Sequence, residues 1–168
     1  MINAALAEIA AQEPNGRLVI IEDTHELQCA AANTVILHTQ PGVADLRAPV
    51  QRTMRLCPDR IVVGEVRGGE TLEFLKAWGT GHPGCAATIH SESAYGALVR
   101  LAQLVAEAVP YPRPQLIADA VHIVVSIQRD GQHPVGRTIK EIVRVTGYEN
   151  GHYILEPIVG LSQAAEGC

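Results

Sequence analysis

Three short apolar runs, each ending in a polar residue that can do chemistry, constrain the fold of this chain most. LVIIED (18–23), IVVGE (61–65) and AATIH (86–90) are apolar almost to their last positions. Runs of this length without alternation are typical of strands buried on both faces of a parallel sheet. The segments between them carry helical spacing. The sequence therefore predicts an α/β fold, with a mostly parallel sheet flanked by helices.

The last third of the chain follows a different pattern. Three segments alternate apolar and polar residues around glycine-containing turns: HIVVSIQ, TIKEIVRVTGY and GHYILEP. Such alternation predicts an antiparallel meander with one solvated face. We therefore expect one domain, with an α/β core over residues 1–120, antiparallel strands over 121–157 and a tail over 158–168.

Composition excludes several classes of function. A formal net charge of -5 over 168 residues gives no overall positive field, so we predict no direct nucleic-acid binding. Four cysteines are spread without a CxxC pair, and the start does not resemble a secretory leader, which together favour a cytoplasmic location. No apolar run approaches the roughly 20 residues that cross a bilayer. Any membrane association is expected to be peripheral, through partners.

The polar residues that end the apolar runs are the candidate site. Open parallel sheets bind ligands at the carboxyl edge of their strands, so Glu22, Asp23, Glu65 and His90 are expected to converge. The alternative is that these residues are polar only because each strand reaches water there. Because three strands share the pattern, we favour a site.

An apolar strand that ends in an acid has the form of a Walker B element. Its carboxylate holds Mg²⁺ or orients the water that attacks a γ-phosphate. Glu65 follows Gly64, which suits water polarisation better than metal coordination and leaves Glu22, Asp23 or Glu26 as the acids nearer the metal. Side chains alternate along a strand, so Glu22 and Asp23 face opposite ways unless the strand has already ended. The sequence leaves the choice between them open.

Arginines cluster around the third apolar run and could neutralise phosphate, in this subunit or in a neighbour. They are Arg47, Arg52, Arg55, Arg60 and Arg67. A solvated helix face is the better interpretation for Arg47 and Arg52. Arg60 and Arg67 flank the acidic strand end, and we take these two as candidate nucleotide-binding residues.

Metal ligands of other kinds also occur. His82, Cys85 and His90 are zinc-ligand types, but Cys85 and His90 lie an odd number of positions apart on one predicted strand and would point to opposite faces. A small metal-dependent hydrolase built on Glu22, Glu65 and His90 is a further alternative, which rests only on the convergence of ligand types.

Three segments together resemble a known family. IIEDTHEL (20–27) resembles the Asp box, RIVVGEVRGGE (60–70) the atypical Walker B, and TGHPGCAATIHSESA (80–94) the His box of the type II/type IV secretion ATPases. Their order and spacing also match, and the resemblance runs from Ile2 to about Leu155. These are hexameric traffic ATPases of secretion, pilus and conjugation systems.

The resemblance implies a RecA-like core that binds ATP and Mg²⁺ between subunits of a homo-hexameric ring. The ring would lie at the cytoplasmic base of an inner-membrane transfer apparatus. The residues it implies are Glu65, Glu22 and His90 in catalysis; Glu22, Asp23, Glu26, His82 and His90 around the nucleotide; and Asp23 and Glu26 near Mg²⁺. Pro49, Cys57 and Cys85 depart from the family pattern.

One motif of that family is absent from these residues. A P-loop of the form GxxxxGK[ST] wraps phosphates with backbone N–H groups and a lysine. The two lysines, Lys76 and Lys140, do not follow a glycine. We therefore expect a motor domain truncated after its Walker A motif, without the preceding N-terminal domain, that alone binds ATP weakly and turns over none. The alternative is a non-catalytic subunit that joins an ATPase ring.

Overall fold

The computed structural model describes residues 1–39, 50, 53–79, 84–111 and 113–158. The chain divides into two compact units, Met1–Ile89 and His90–Cys168. This division falls before the predicted change of pattern at residue 120, because the two helices that follow Ile89 have their contacts with the antiparallel strands. Pro49, His82 and residues 159–168 of the predicted tail lie outside the described residues.

The first unit alternates helices with parallel strands. Its elements are α1 (Ile2–Gln12), β1 (Leu18–Glu22), β2 (Thr34–His38), a 3-10 turn (Met54–Leu56), β3 (Arg60–Val63), α2 (Thr71–Trp78) and β4 (Ala86–Ala87). The strands form one parallel sheet in the order β2-β1-β3-β4. The predicted α/β fold with a parallel sheet is confirmed.

Strand β1 lies in the middle of this sheet and is buried at all five positions. On one face, Leu18 and Ile20 form a core cluster with Leu6 of α1 and Val62 of β3. The alternate positions of β1 face the other side and are equally buried. A strand covered on both faces explains why its sequence is continuously apolar.

The strand register aligns the carboxyl ends of the sheet. Glu22 at the end of β1 lies opposite His38 at the end of β2, and Ile21 lies opposite Val63 at the end of β3. The residues that follow Val63 therefore leave the sheet at the same edge as Glu22. This edge carries the candidate site.

Strand β4 is much shorter than the apolar run AATIH (86–90) that predicted a strand here. Only Ala86 and Ala87 pair with β3. Thr88 continues alongside through other bonds, since its carbonyl accepts from the Val66 N–H at 3.0 Å and its hydroxyl donates to the Gly64 carbonyl. The segment therefore holds the loop after β3 without forming a longer ladder.

The second unit is an antiparallel meander with two helices. Its elements are α3 (Ala94–Ala106), α4 (Pro114–Ala120), β5 (Ile123–Arg129), β6 (Arg137–Glu149) and β7 (His152–Pro157), with the sheet in the order β5-β6-β7. The meander predicted from alternation is present. Helix α3 starts at Ala94, where Ser93 caps it by accepting the Gly96 N–H at 3.0 Å. Among the described residues, no helix is long and apolar enough to cross a membrane.

Candidate functional site

Glu22 is the most buried acid at the carboxyl edge of the parallel sheet. It is 2% exposed. One carboxylate oxygen, Oε2, accepts the backbone N–H groups of Glu26 at 3.1 Å and Leu27 at 2.9 Å. The chain that leaves β1 thus turns around this carboxylate and supplies the hydrogen bonds that a buried acid needs. Glu22 fixes the shape of the turn that carries the next acid, Asp23.

The second oxygen of Glu22 faces two imidazoles. Oε1 lies 2.9 Å from Nδ1 of His25 and 3.7 Å from Nδ1 of His38. Burial by itself raises the pKa of the Glu22 carboxyl, but the bonds from Leu27, His25 and Glu26 outweigh it and hold the pKa below its ordinary value. The carboxylate is therefore ionised at neutral pH.

Asp23 and Glu65 meet on one guanidinium. Nη1 of Arg67 lies 2.6 Å from Oδ2 of Asp23, and Nη2 lies 2.5 Å from Oε2 of Glu65. The hydrogen bond and charge of Glu65, followed by the charges of Asp23 and Glu26, raise the pKa of Arg67. The structure thus brings two of the predicted acids, Asp23 and Glu65, onto a single cation, while Glu22 turns towards the imidazoles. Because β1 ends at Glu22, Asp23 lies outside the strand, and the two acids have different partners.

Gly64, between β3 and Glu65, fits against Glu22. A Cβ at this position would lie 3.3 Å from the Cβ of Glu22. The Gly64 N–H donates to the Ile21 carbonyl at 2.8 Å. Close packing of the two strand ends, which the sequence pattern did not indicate, therefore accounts for a glycine directly before Glu65.

Glu70 organises the loop that carries Glu65 and Arg67. Its Oε1 accepts the backbone N–H of Gly68 at 2.9 Å and that of Arg67 at 3.3 Å. The Thr71 hydroxyl donates to the Gly68 carbonyl at 2.6 Å. Nothing in the sequence pattern indicated Glu70, because its carboxylate accepts N–H groups of the preceding loop and makes no side-chain cap on α2.

Substituting Gly68 by alanine is expected to lower the free energy of unfolding by about 1–2 kcal/mol. The new Cβ would lie 2.7 Å from Oε2 of Glu70, whose carboxylate two N–H groups hold in place. Gly79→Ala at the other end of α2 is the matched control, since its Cβ meets only ordinary contacts from 3.4 Å. Urea unfolding followed by circular dichroism measures both. Equal losses in the two variants would contradict the role of Glu70.

Arg60 lies at the other end of β3 from Glu65. Its Nε and Nη2 bind the Glu13 carboxylate at 2.9 Å and 2.5 Å, and its Nη1 donates to the Gly84 carbonyl at 3.2 Å. The hydrogen bond with Glu13 raises the pKa of Arg60. A Cβ on Gly84, whose φ is 73°, would lie 1.4 Å from Nη1. Arg60 therefore ties α1 and the start of β4 to β3, away from the acidic edge.

The remaining predicted residues are placed as follows. His90 is exposed and is the first residue of the second unit, and His82 lies outside the described residues. The Cys85 thiol accepts the Ile61 N–H at 3.3 Å, and burial raises the pKa of this thiol. The thiol is therefore directed at the backbone of β3.

The acids around Arg67 fit Mg²⁺ in ligand type. Magnesium prefers oxygen donors and is usually held by one or two carboxylates together with waters and substrate phosphates. Asp23 and Glu26 could supply those carboxylates. Within the described part of the chain, one group of three His, Cys, Asp or Glu side chains has ligand atoms close enough for a metal ion, and it consists of Glu22, His25 and His38. The two histidines were missed, although each lies beside the end of a strand.

Comparison with known protein families gives a match over most of the chain. The model for "Type II/IV secretion system protein" matches residues 1–133. "Conjugal transfer protein TrbB" of Rhizobium radiobacter is 51% identical over 156 residues, which are 93% of this chain and 47% of that protein. "Type IV secretion system protein PtlH" of Bordetella pertussis is 33% identical over 155 residues, covering 84% of this chain and 45% of the relative. The chain spans about half the length of the curated relatives it matches.

Solved structures of two other proteins are similar to this chain. The VirB11 ATPase from the type IV secretion system of Brucella suis, crystallised with sulphate, superposes with a TM-score of 0.74 at 27% identity, covering 84% of this chain and 44% of that one. The pilus retraction motor PilT with bound ADP superposes with a TM-score of 0.57 at 19% identity, covering 92% of this chain and 43% of that one. At 19% identity, the similarity to PilT shows only that the two proteins share a fold.

Proposed function

Because the chain belongs to the type II/IV secretion system protein family, we propose that it forms the acid-bearing part of a traffic ATPase motor. In such a motor, ATP hydrolysis would be coupled to DNA or protein transfer or to pilus assembly. The observation that carries the proposal is the convergence of Asp23, Glu65 and Arg67 where β1 and β3 end. Ligand binding at this edge is general for open parallel sheets.

Each acid at this edge has a proposed part. Glu65 orients and deprotonates the water that attacks the γ-phosphate, which a carboxylate at a strand end is suited to do. Asp23 and Glu26 hold Mg²⁺, which supplies charge neutralisation to the phosphates when bound. Glu22 is a positioning residue, because its bonds to the following N–H groups set the turn that presents Asp23 and Glu26.

Basic residues complete the proposed site. Arg67 holds the Asp23 and Glu65 carboxylates close together by pairing with both, and its guanidinium is the nearest to them in the described part of the chain. An exchange of partners would allow it to bind phosphate, since guanidinium pairs with phosphate as well as with carboxylate. His90 and His82 are proposed to contact the nucleotide as the His-box histidines of the family, with His90 beside the γ-phosphate.

The 168 residues contain no GxxxxGK[ST] stretch, so a P-loop must come from elsewhere for hydrolysis. We propose that this chain alone binds ATP weakly and does not turn it over. The working assembly is proposed to be a homo-hexameric ring on the cytoplasmic side of an inner-membrane transfer apparatus. This proposal is supported by the relatives named for conjugal transfer and type IV secretion.

A replacement chimera tests the proposal. The matching 156-residue segment of the Rhizobium radiobacter relative would be exchanged for this chain, so that the rest of that protein supplies the missing parts. We expect Mg²⁺-dependent ATP hydrolysis by the chimera in a phosphate-release assay, within about 10-fold of the parent protein. The 168-residue chain alone is expected to give no turnover above background.

Two outcomes would overturn this proposal. A folded chimera that binds nucleotide but does not hydrolyse it, beside an active parent, would favour a non-catalytic subunit that joins a ring. Robust Mg²⁺-dependent turnover by the 168-residue chain alone would contradict the proposed dependence on a P-loop from elsewhere. Sizing of the chimera by light scattering decides whether loss of activity follows from loss of the ring.

A further inference from the structure

A buried carboxylate and two exposed imidazoles meet at the end of β1. Glu22 is 2% exposed, whereas the side chains of His25 and His38 are 75% and 50% exposed. The three ligand atoms, one from each residue, all lie within 4.8 Å of one another. The cluster is therefore anchored on the protein side and open to water on the other.

The backbone brings the three residues together without a ligand. Glu22 and His38 are register partners at the ends of two hydrogen-bonded parallel strands. His25 lies in the turn that closes on Glu22 through the N–H groups of Glu26 and Leu27. Those two bonds use Oε2 and leave Oε1 directed at the imidazoles. Hydrogen bonds of this kind commonly fix metal-binding carboxylates in orientation.

The distances between these atoms match the edges of a metal coordination shell. Zinc binds histidine nitrogen and carboxylate oxygen at about 2.0–2.2 Å, which in tetrahedral geometry places neighbouring ligand atoms about 3.3 Å apart. The Oε1 atom of Glu22 is 2.9 Å from Nδ1 of His25 and 3.7 Å from Nδ1 of His38. These two distances bracket that value and the ligand atoms of the two imidazoles lie within 4.8 Å of each other, so rotation of the exposed imidazoles would bring all three atoms onto one ion.

The donor set also selects the kind of metal. Two imidazoles and one carboxylate suit Zn²⁺, Co²⁺ or Ni²⁺, whereas Mg²⁺ demands oxygen ligands. Three protein ligands leave at least one position open, and the exposure of both histidines places that position in water. The Asp23 carboxylate is directed at Arg67 instead and does not belong to this set.

We propose that Glu22, His25 and His38 form a binding site for a divalent transition metal, with its open position facing solvent. The site is separate in chemistry from the proposed Mg²⁺ and nucleotide site on Asp23, Glu26 and Glu65. It does not rest on ATP hydrolysis and can be tested on the 168-residue chain without nucleotide.

Cobalt titration of the purified, untagged chain under reducing conditions tests the site. Bound Co²⁺ is expected to give visible d–d absorption that saturates at one ion per chain and that Zn²⁺ abolishes by competition. Millimolar Mg²⁺ is expected to leave the spectrum unchanged. His25→Ala and His38→Ala should each weaken binding by at least about 10-fold, whereas His133→Ala, an exposed histidine on the β5–β6 loop, should not.

The spectrum also identifies the competing ligands. An intense near-ultraviolet band from thiolate-to-cobalt charge transfer, retained in His25→Ala, would assign binding to the free cysteines and overturn the proposal. Absence of saturable cobalt binding would overturn it too. Circular dichroism of each variant shows whether it is folded, and His25→Gln and His38→Gln provide second variants that keep the size of the side chain. The chimera assay measures ATP hydrolysis and the cobalt titration measures metal binding. Failure of the proposed ATPase function is therefore distinguishable from failure of the proposed metal site.

Discussion

Glutamine in place of Glu65 is expected to lower kcat for ATP by at least about 100-fold in the replacement chimera, as loss of a general base does. The amide keeps the shape of the side chain and an oxygen that can accept from Arg67, but it cannot take a proton from water. The 2.5 Å contact between Glu65 and Arg67 lies at an exposed guanidinium, so removal of the negative charge there costs little stability. A steady-state phosphate-release assay at saturating ATP and Mg²⁺ measures the effect.

The matched control for this substitution is Glu73→Gln. Glu73 lies on α2, where its carboxylate pairs with Lys76 on the helix surface. The Glu73→Gln substitution is expected to leave kcat within about 2-fold of the unsubstituted chimera, since exposed ion pairs contribute little to stability. Nucleotide affinity, measured with a fluorescent ATP analogue, should stay unchanged in both variants. Undiminished turnover in Glu65→Gln would remove Glu65 from the proposed mechanism, and an equal loss in Glu73→Gln would point to a general defect.

Much of the fold could be predicted because a strand that is buried on both faces has a continuously apolar sequence. The run that forms β1 has no polar residue before its end, and every position of β1 is buried. Alternation around glycine turns likewise indicated the meander of β5, β6 and β7. Both patterns are local, and each reports the periodicity of a strand and the environment on its two faces.

Features that depend on partners distant in sequence were harder to predict. The segment around β4 is apolar enough for a full strand, yet only Ala86 and Ala87 pair with β3. Strand length is decided by which backbone groups find partners, and Thr88 bonds to the loop after β3 instead. The division of the chain at residue 89 likewise follows from contacts of α3 and α4 with the second sheet.

The candidate site shows the same contrast. Glu22, Asp23 and Glu65 could be identified because each follows an apolar run, and the structure places Asp23 and Glu65 on Arg67. His38 could not, since nothing in its own segment shows that register sets it beside Glu22. Glu70 has no chemistry of its own to signal it, and its importance comes from the N–H groups that it accepts.

Removal of the Glu22 carboxylate is expected to destabilise the protein more than Gly68→Ala does. Glu22→Ala leaves the N–H groups of Glu26 and Leu27 without their acceptor at a buried position. Each unsatisfied buried group costs about 1–3 kcal/mol, so we expect a loss of about 2–4 kcal/mol at pH 7. Urea unfolding followed by the fluorescence of Trp78 measures it, because this is the one tryptophan of the chain and lies in α2 of the first unit.

The loss should also depend on pH in a defined direction. Hydrogen bonds hold the pKa of folded Glu22 below the ordinary value of 4.5, so the folded protein binds fewer protons there than the unfolded chain. This contribution to stability is fully present above the ordinary pKa and disappears as pH falls through the folded pKa. The difference between wild type and Glu22→Ala should therefore be constant near neutral pH and shrink below about pH 4.5.

Glu26→Ala separates this effect from a general loss of charge. Glu26 is exposed, and its backbone N–H still reaches Glu22 after the substitution. We expect a change within about 0.5 kcal/mol, as for most surface positions. A loss as large as that in Glu22→Ala, or a Glu22→Ala difference that stays constant down to pH 3, would show that the buried carboxylate does not fix the turn after β1. The proposed positions of Asp23 and Glu26 would then lack their support, because that turn presents both acids at the edge of the sheet.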